Sequence, residues 1–152
     1  MQKNDFVCEI FNYMARIEIN FPDKIIYTTQ IPVRITDINY GGHLGNDKVL
    51  SMMHEVRMQF LNNYGYTELN VEGAGLIMAD AGIKFKSEAF FNELLSTEIA
   101  IDGLTKVGFD LYYRFSCGDR VIALGKTGMI FFDYEKRKIA VCPVQFEAKF
   151  KS

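Results

Sequence analysis

The chain has 152 residues, a formal net charge of −2, 49% hydrophobic and 24% charged side chains, the balance and length of one ordinary soluble globular domain. That charge gives a nucleic-acid partner no electrostatic support, and no apolar run approaches the roughly 20 residues of a membrane span. Thirteen Phe and eight Tyr against no Trp point to a sheet-rich core filled with aromatic rings. The three cysteines, Cys8, Cys117 and Cys142, stand in no metal-ligand spacing. With no leader-like start, they read as reduced thiols in a cytoplasmic protein.

Residues 5–14 place Phe6, Val7, Ile10, Phe11 and Met14 at helical spacing, the pattern of a short amphipathic helix or of a disordered extension. Residues 16–21 alternate polar and apolar and read as an extended arm ended by Pro22-Asp23. Ile25 to Asp37 is rich in β-branched residues and reads as a strand, with Pro32 requiring an edge or a bulge. A turn holding Gly41, Gly42 and Gly45 leads into a helix from about Asp47 to Tyr64, with Gly65 as a left-handed cap. Along that helix Val49, Leu50, Met52, Met53, Val56, Phe60, Leu61 and Tyr64 form an apolar stripe. Asp47, Ser51 and Glu55 step by four on the other side, a polar face that is either solvated or the lining of a cleft. After a loop over residues 66–75 come four β-type runs, 76–88, 94–103, 107–116 and 120–134, with Gly118-Asp119 as a tight turn. A last run from Ile139 to Phe146, interrupted by Pro143, is expected to close the sheet. The layout is α+β: one strand, one long central helix, then an antiparallel meander. A single helix on a twisted sheet leaves an edge open, which a second copy of the chain would pair.

The densest chemistry lies in the turn before the helix, where Asn39, Tyr40, His43, Asn46 and Asp47 crowd between two apolar elements. A helix N-terminus offers unpaired N–H groups and a positive dipole end, suited to an anion or a developing oxyanion. The sequence Asp37-Ile-Asn39-Tyr-Gly-Gly42-His43-Leu-Gly-Asn46, followed by Glu55-Val-Arg57 on a helix, resembles the hotdog-fold acyl-CoA thioesterases of the 4-hydroxybenzoyl-CoA thioesterase type. Their pattern is Asp-x-Asp-x-x-Gly-His-Val-x-Asn with a Glu-x-Arg along the helix. The likeness extends over roughly residues 25–146, including Ile83-Lys-Phe-Lys-Ser-Glu-Ala-Phe90. It implies a hotdog fold, with one long central helix wrapped by a five- to six-stranded antiparallel sheet. Residues 1–15 would be an N-terminal extension and 16–152 a single hotdog domain. It also implies hydrolysis of an acyl-CoA thioester by a homodimer or dimer of dimers, without cofactor or metal; two histidines lacking matching Cys or Asp spacing make no metal site.

One departure bears on the mechanism. The second Asp of the family pattern is Asn39 here, and an amide can neither take a proton nor attack a carbonyl, although it can orient a water. Asp47, Glu55 and Asp37 therefore compete as the base, in that order of expectation. The non-catalytic readings are a helix-dipole charge for Asp47, a partner of Arg57 or of a neighbouring loop for Glu55, and a turn-stabilising side chain for Asp37. The resemblance places His43 where the helix meets substrate, either bonding the thioester carbonyl or bracing the loop. The amides of Gly42 and His43 would form the oxyanion hole, Tyr40 and Asn46 would border substrate, and Lys84, Lys86, Lys126 or the 136–138 cluster would meet the CoA phosphates. Two rival functions keep the same fold, an acyl-thioester dehydratase or hydratase using a His–carboxylate pair, and a non-catalytic acyl-CoA binder.

Overall fold

The structure, a computed structural model, describes residues 16–151; the helix expected within residues 5–14 and Cys8 lie outside them. Strands β1 (Tyr27–Pro32), β2 (Gly75–Phe85), β3 (Leu94–Asp102), β4 (Gly108–Cys117), β5 (Arg120–Asp133) and β6 (Lys138–Ile139) form one antiparallel sheet. Its order is β1-β3-β4-β5-β2, with β6 against β5. Strands β3 to β5 are the expected meander, but β2 does not begin it: β2 crosses over to pair with β5 and becomes the far edge.

The strand expected from Ile25 to Asp37 is shorter than its β-branched composition suggests. It runs as β1 to Pro32 on the opposite sheet edge, where a missing N–H costs no ladder bond, and Ile35–Asp37 forms a 3₁₀ turn. The Asp37 carboxylate accepts the Arg34 N–H at 2.8 Å and holds that turn, the structural role weighed for it.

Helix α1 (Asn46–Asn63) lies on the inner face of the sheet and buries Val49, Met52, Met53, Val56, Phe60 and Leu61 of its apolar stripe, whereas Leu50 is exposed and Tyr64, just past the helix, is half-buried. The helix packs close because β5 has no side chain at Gly125, where an added Cβ would stand 2.7 Å from the Met53 sulfur. Its C-terminus closes in a Schellman arrangement. Gly65 at φ 74° donates its N–H to Asn62 O (2.9 Å), and Tyr66 donates to Leu61 O (2.8 Å). One charge is buried on the same side: Arg57 donates Nε–H to Glu68 Oε1 (2.7 Å) and lies 3.4 Å from the Tyr113 hydroxyl, which pairs with Thr127 (3.1 Å). The partner expected for Glu55 was Arg57 or a neighbouring loop; Arg57 is taken by Glu68, and Glu55 accepts from the Gln59 amide at 3.1 Å.

The last expected strand is mostly a helix. Only Lys138 and Ile139 pair with β5, and after Pro143 the chain forms α2 (Val144–Phe150). Proline suits a helix start, and Phe146 and Phe150, one turn apart, both reach the core. Their rings lie 4.7 Å apart and meet Phe60, Tyr64, Tyr66, Phe109 and Phe131 at centroid distances of 4.8 to 6.3 Å. Residues 16–26 carry no regular secondary structure, and residues 17–21 lie on the outer face of the sheet. There Ile17 and Ile19 approach Gly82, Glu18 pairs with Lys84 (2.7 Å), and Phe21 lies under the Arg114 guanidinium.

Candidate functional site

The turn before α1 is built by its polar side chains and glycines. Asn39 Oδ1 accepts the Gly41 N–H at 2.8 Å, Asn39 N–H donates to His43 O at 2.9 Å, and Gly42 N–H donates to Asn39 O at 3.1 Å. Gly42 takes φ 81°, a conformation that an L side chain strains to adopt. Gly41 serves differently: a Cβ there would stand 3.2 Å from both Asn39 Oδ1 and His43 Nε2. Its missing side chain lets these two groups flank it closely. The bond from Leu44 N–H to Ala89 O (2.8 Å) then ties the turn to the segment that follows β2.

Between these two segments lies a cavity of about 220 Å³. Leu44, Val49, Phe85, Ala89 and Ile122 make its apolar wall, and His43, Asn46, Lys86, Ser87 and Glu88 supply its polar groups. His43 is held by its Nδ1, 3.2 Å from Leu44 O, and its Nε2 lies 3.6 Å from Glu88 Oε1. A carbonyl only accepts, so the proton of the neutral ring sits on Nδ1, and the Nε2 lone pair faces the cavity edge.

Glu88 was not singled out from sequence. A lone Glu after a strand resembles any surface carboxylate, and only the Leu44–Ala89 bond brings it opposite His43. Arg120 fixes its segment: the guanidinium donates to Glu88 O and pairs with Glu93 at 2.6 Å, while Glu93 also accepts Phe90 N–H at 2.9 Å. These partners, the Phe90 N–H foremost, hold the Glu93 carboxyl below the usual carboxylate range against the opposing effect of burial.

The expected site residues separate into groups. His43 and Asn46 line this cavity, and Asn39 joins them through Gly41. Tyr40 stands fully in solvent. Asp47 lies outside the cavity with its side chain 77% exposed, 3.7 Å from Lys48. Glu55 lines a second, smaller hollow of about 80 Å³ with Arg34, Asp37 and Ser51. His43 and Glu55, the pair a hydratase would use, therefore face different cavities within one chain. The Gly42 N–H is already committed inside the turn and Lys48 N–H donates to Gly45 O (3.0 Å), whereas the N–H groups of His43, Asn46 and Asp47 have no acceptor among the described residues.

Of the cations expected at CoA phosphates, Lys86 alone borders the cavity. Lys84 is held by Glu18, and Lys126 by Asp80 (3.0 Å) and Asp110 (2.8 Å) on the outer face. The 136–138 hairpin follows the far end of β5 at Asp133, about 36 Å along the strand from Ile122 at ~3.3 Å per residue.

A single long helix laid on an antiparallel sheet, with a glycine turn and open cavity at its N-terminus, defines an α+β protein of the hotdog class. The sequence profile of the thioesterase-like superfamily matches residues 33–150, and the chain belongs to that superfamily. Among solved structures it is similar to a 1,4-dihydroxy-2-naphthoyl-CoA thioesterase from Synechocystis, at 20% identity and TM-score 0.73, covering 82% of this chain and 94% of that one. It is also similar to a gentisyl-coenzyme A thioesterase at 21% identity and TM-score 0.72, covering 82% and 99%. A third neighbour is a hypothetical protein from Aquifex aeolicus, at 16% identity and TM-score 0.75, covering 83% and 100%. At these identities the likeness carries the fold alone. No curated protein matches the chain. No helix among the described residues is long and apolar enough to cross a membrane.

Proposed function

We propose that this protein hydrolyses an acyl-CoA thioester to the free acid and CoA, as a homodimer of the 4-hydroxybenzoyl-CoA thioesterase type. The observation that carries this reading is the apolar cavity set directly below the N-terminus of α1 in a chain of the thioesterase-like superfamily. The acyl group enters the cavity. An apolar space of about 150 Å³ holds a benzene ring, so about 220 Å³ suits one ring or a short chain. The thioester oxygen lies at the His43 N–H and the first-turn amide of Asn46, where each donor aimed at the growing negative charge contributes about 3–4 kcal/mol. Asn39 orients the water, and Lys86 meets the outgoing CoA.

The dimer is supported by strand β2. It is 11 residues long, forms one edge of the sheet, and exposes Met78 and Phe85 on the face that carries α1. A long edge strand with no strand neighbour on that side among the described residues, beside exposed apolar side chains, is a pairing surface. A partner docked there would bring its own polar helix face, with Asp47 and Glu55, toward this chain's cavity. Thiol release from a panel of acyl-CoAs tests the reaction, and sedimentation at micromolar concentration tests the dimer. Tight binding without thiol release would leave the binder, and consumption of enoyl absorbance the hydratase. A pure monomer that still hydrolyses would remove the shared site.

A further inference from the structure

We infer that His43 Nε2 is the proton acceptor of this reaction and that Glu88 is the positioning residue that holds the attacking water against it, replacing the carboxylate absent at Asn39. The inference rests on the proposed hydrolysis and assigns its base within one chain. Three observations converge. The Nδ1 contact with Leu44 O at 3.2 Å fixes the tautomer and leaves the Nε2 lone pair free. Glu88 Oε1 lies 3.6 Å from Nε2, beyond the usual N–H···O distance but spanned by one water bonded to both. Both residues border the apolar cavity of their own chain, whereas Asp47 and Glu55 of the same chain do not.

A water that donates to both Nε2 and Oε1 keeps its own lone pair for attack. Its oxygen adds to the thioester carbonyl carbon as its proton passes to Nε2. The imidazolium formed lies beside the Glu88 carboxylate, 3.6 Å from Nε2. On collapse the C–S bond breaks, the Nε2 proton passes to the leaving sulfur, and the products are the acid and the CoA thiol. Imidazole is the side chain best matched to this exchange near neutral pH. The other charged groups near the pair are Lys86 at the cavity edge and Arg120, the latter occupied by Glu88 O and Glu93.

The segment carrying Glu88 is held at several points. Leu44 N–H bonds Ala89 O (2.8 Å), Lys86 N–H bonds Ile122 O (2.9 Å), and the Ser87 hydroxyl bonds Val121 O (2.5 Å). Such fixing matters because a water must be presented within tenths of an ångström of its line of attack.

The experiment measures kcat and kcat/KM against pH for the full-length protein and for His43→Gln, Glu88→Gln, Asp47→Asn and Glu55→Gln, with circular dichroism and melting as folding controls. The expected result is an acid limb of the wild-type profile in the imidazole range. His43→Gln then lowers kcat by about 10²-fold or more, and Glu88→Gln lowers kcat while KM stays near wild type. A wild-type limb in the carboxylate range overturns the inference without any variant. So does a folded His43→Gln protein with near-normal kcat, or a loss confined to Asp47→Asn or Glu55→Gln. If the wild type releases no thiol from any acyl-CoA, the hydrolysis itself fails, which is a separate outcome.

Discussion

The two ends of helix α1 are built on opposite principles. At the C-terminal end its last turn is closed by Gly65, and Phe60 and Tyr64 sit in a dry cluster with Phe146 and Phe150. At the N-terminal end no side chain caps the helix, the preceding turn depends on Asn39 and two glycines, and a cavity opens beneath it. The difference shows how one helix divides its labour. The packed end anchors the helix to the sheet, and the open end keeps donors and a histidine free for a ligand.

Truncation at the packed end breaks the comparison hardest. Phe146 is fully buried among aromatic rings, so Phe146→Ala should cost about 3–5 kcal/mol of unfolding free energy. Turnover per folded molecule should stay near wild type, because the site lies at the other end of α1. Denaturant titration beside thiol-release rates reads both. A parallel fall of rate and stability would mean that the two ends are not independent.

The middle of the helix gives the next effect. Arg57 is buried with its guanidinium on Glu68 and near Tyr113, and its first opponent, loss of hydration, is outweighed by these partners. Arg57→Ala leaves Glu68 without its main partner; His54, 3.5 Å away, replaces it only in part. Breaking such a buried pair costs about 3–5 kcal/mol. The lower end applies here because Glu68 keeps some contact with water, its side chain being 29% exposed. Arg57→Met should cost less, since an apolar chain fills the same space, and equal losses for the two variants would contradict this account.

Much of the packed half was legible in the sequence, and the reason is periodicity. The stripe of α1, its glycine stop and the strands β3 to β5 each carry a local repeat that depends on no distant partner. The crossover of β2 to β5 and the switch from strand to helix after Pro143 did not show. The first depends on which edge a strand finds, and the second on two Phe residues spaced for a helix in a segment too short to average over. The turn before α1 was legible as a place, because glycines and polar residues cluster there. Its inner arrangement was not. That Gly42 spends its N–H on Asn39 is a local bond that residue types alone do not announce, and that Lys84 is drawn away by Glu18 and Glu88 meets His43 are contacts between distant stretches of chain.

At the open end the effect on stability should be small and the effect on rate larger. Gly41→Ala puts a methyl group 3.2 Å from both Asn39 Oδ1 and His43 Nε2, so the two must part by a few tenths of an ångström. Hydrolysis should fall about tenfold, equivalent to about 1.4 kcal/mol of barrier, with little change in melting. Asn39→Asp leaves the acceptor for Gly41 N–H in place and should hydrolyse as fast as wild type or faster. If Gly41→Ala loses stability instead of rate, the turn is scaffold and not part of the site.

The smallest effect concerns the strap that carries Glu88. The Glu93 carboxyl is held below the usual carboxylate range by the Phe90 N–H first, and then by the Arg120 guanidinium and the Cys117 thiol. A group whose folded pKa is depressed adds stability that is fully present above its unfolded value, about 4, and is lost as pH falls through the folded value. Glu93→Gln should therefore lower melting slightly at neutral pH, and the gap between variant and wild type should shrink as the solution is taken below the ordinary carboxylate range. The loss should also be local. Amide exchange should quicken at residues 87–92, where Arg120 and Glu93 tie the chain, and remain unchanged around Phe146 in the packed cluster. An exchange pattern that quickens equally at both ends, or a melting gap that does not vary with pH, would show that Glu93 carries no separate hold on the segment facing His43.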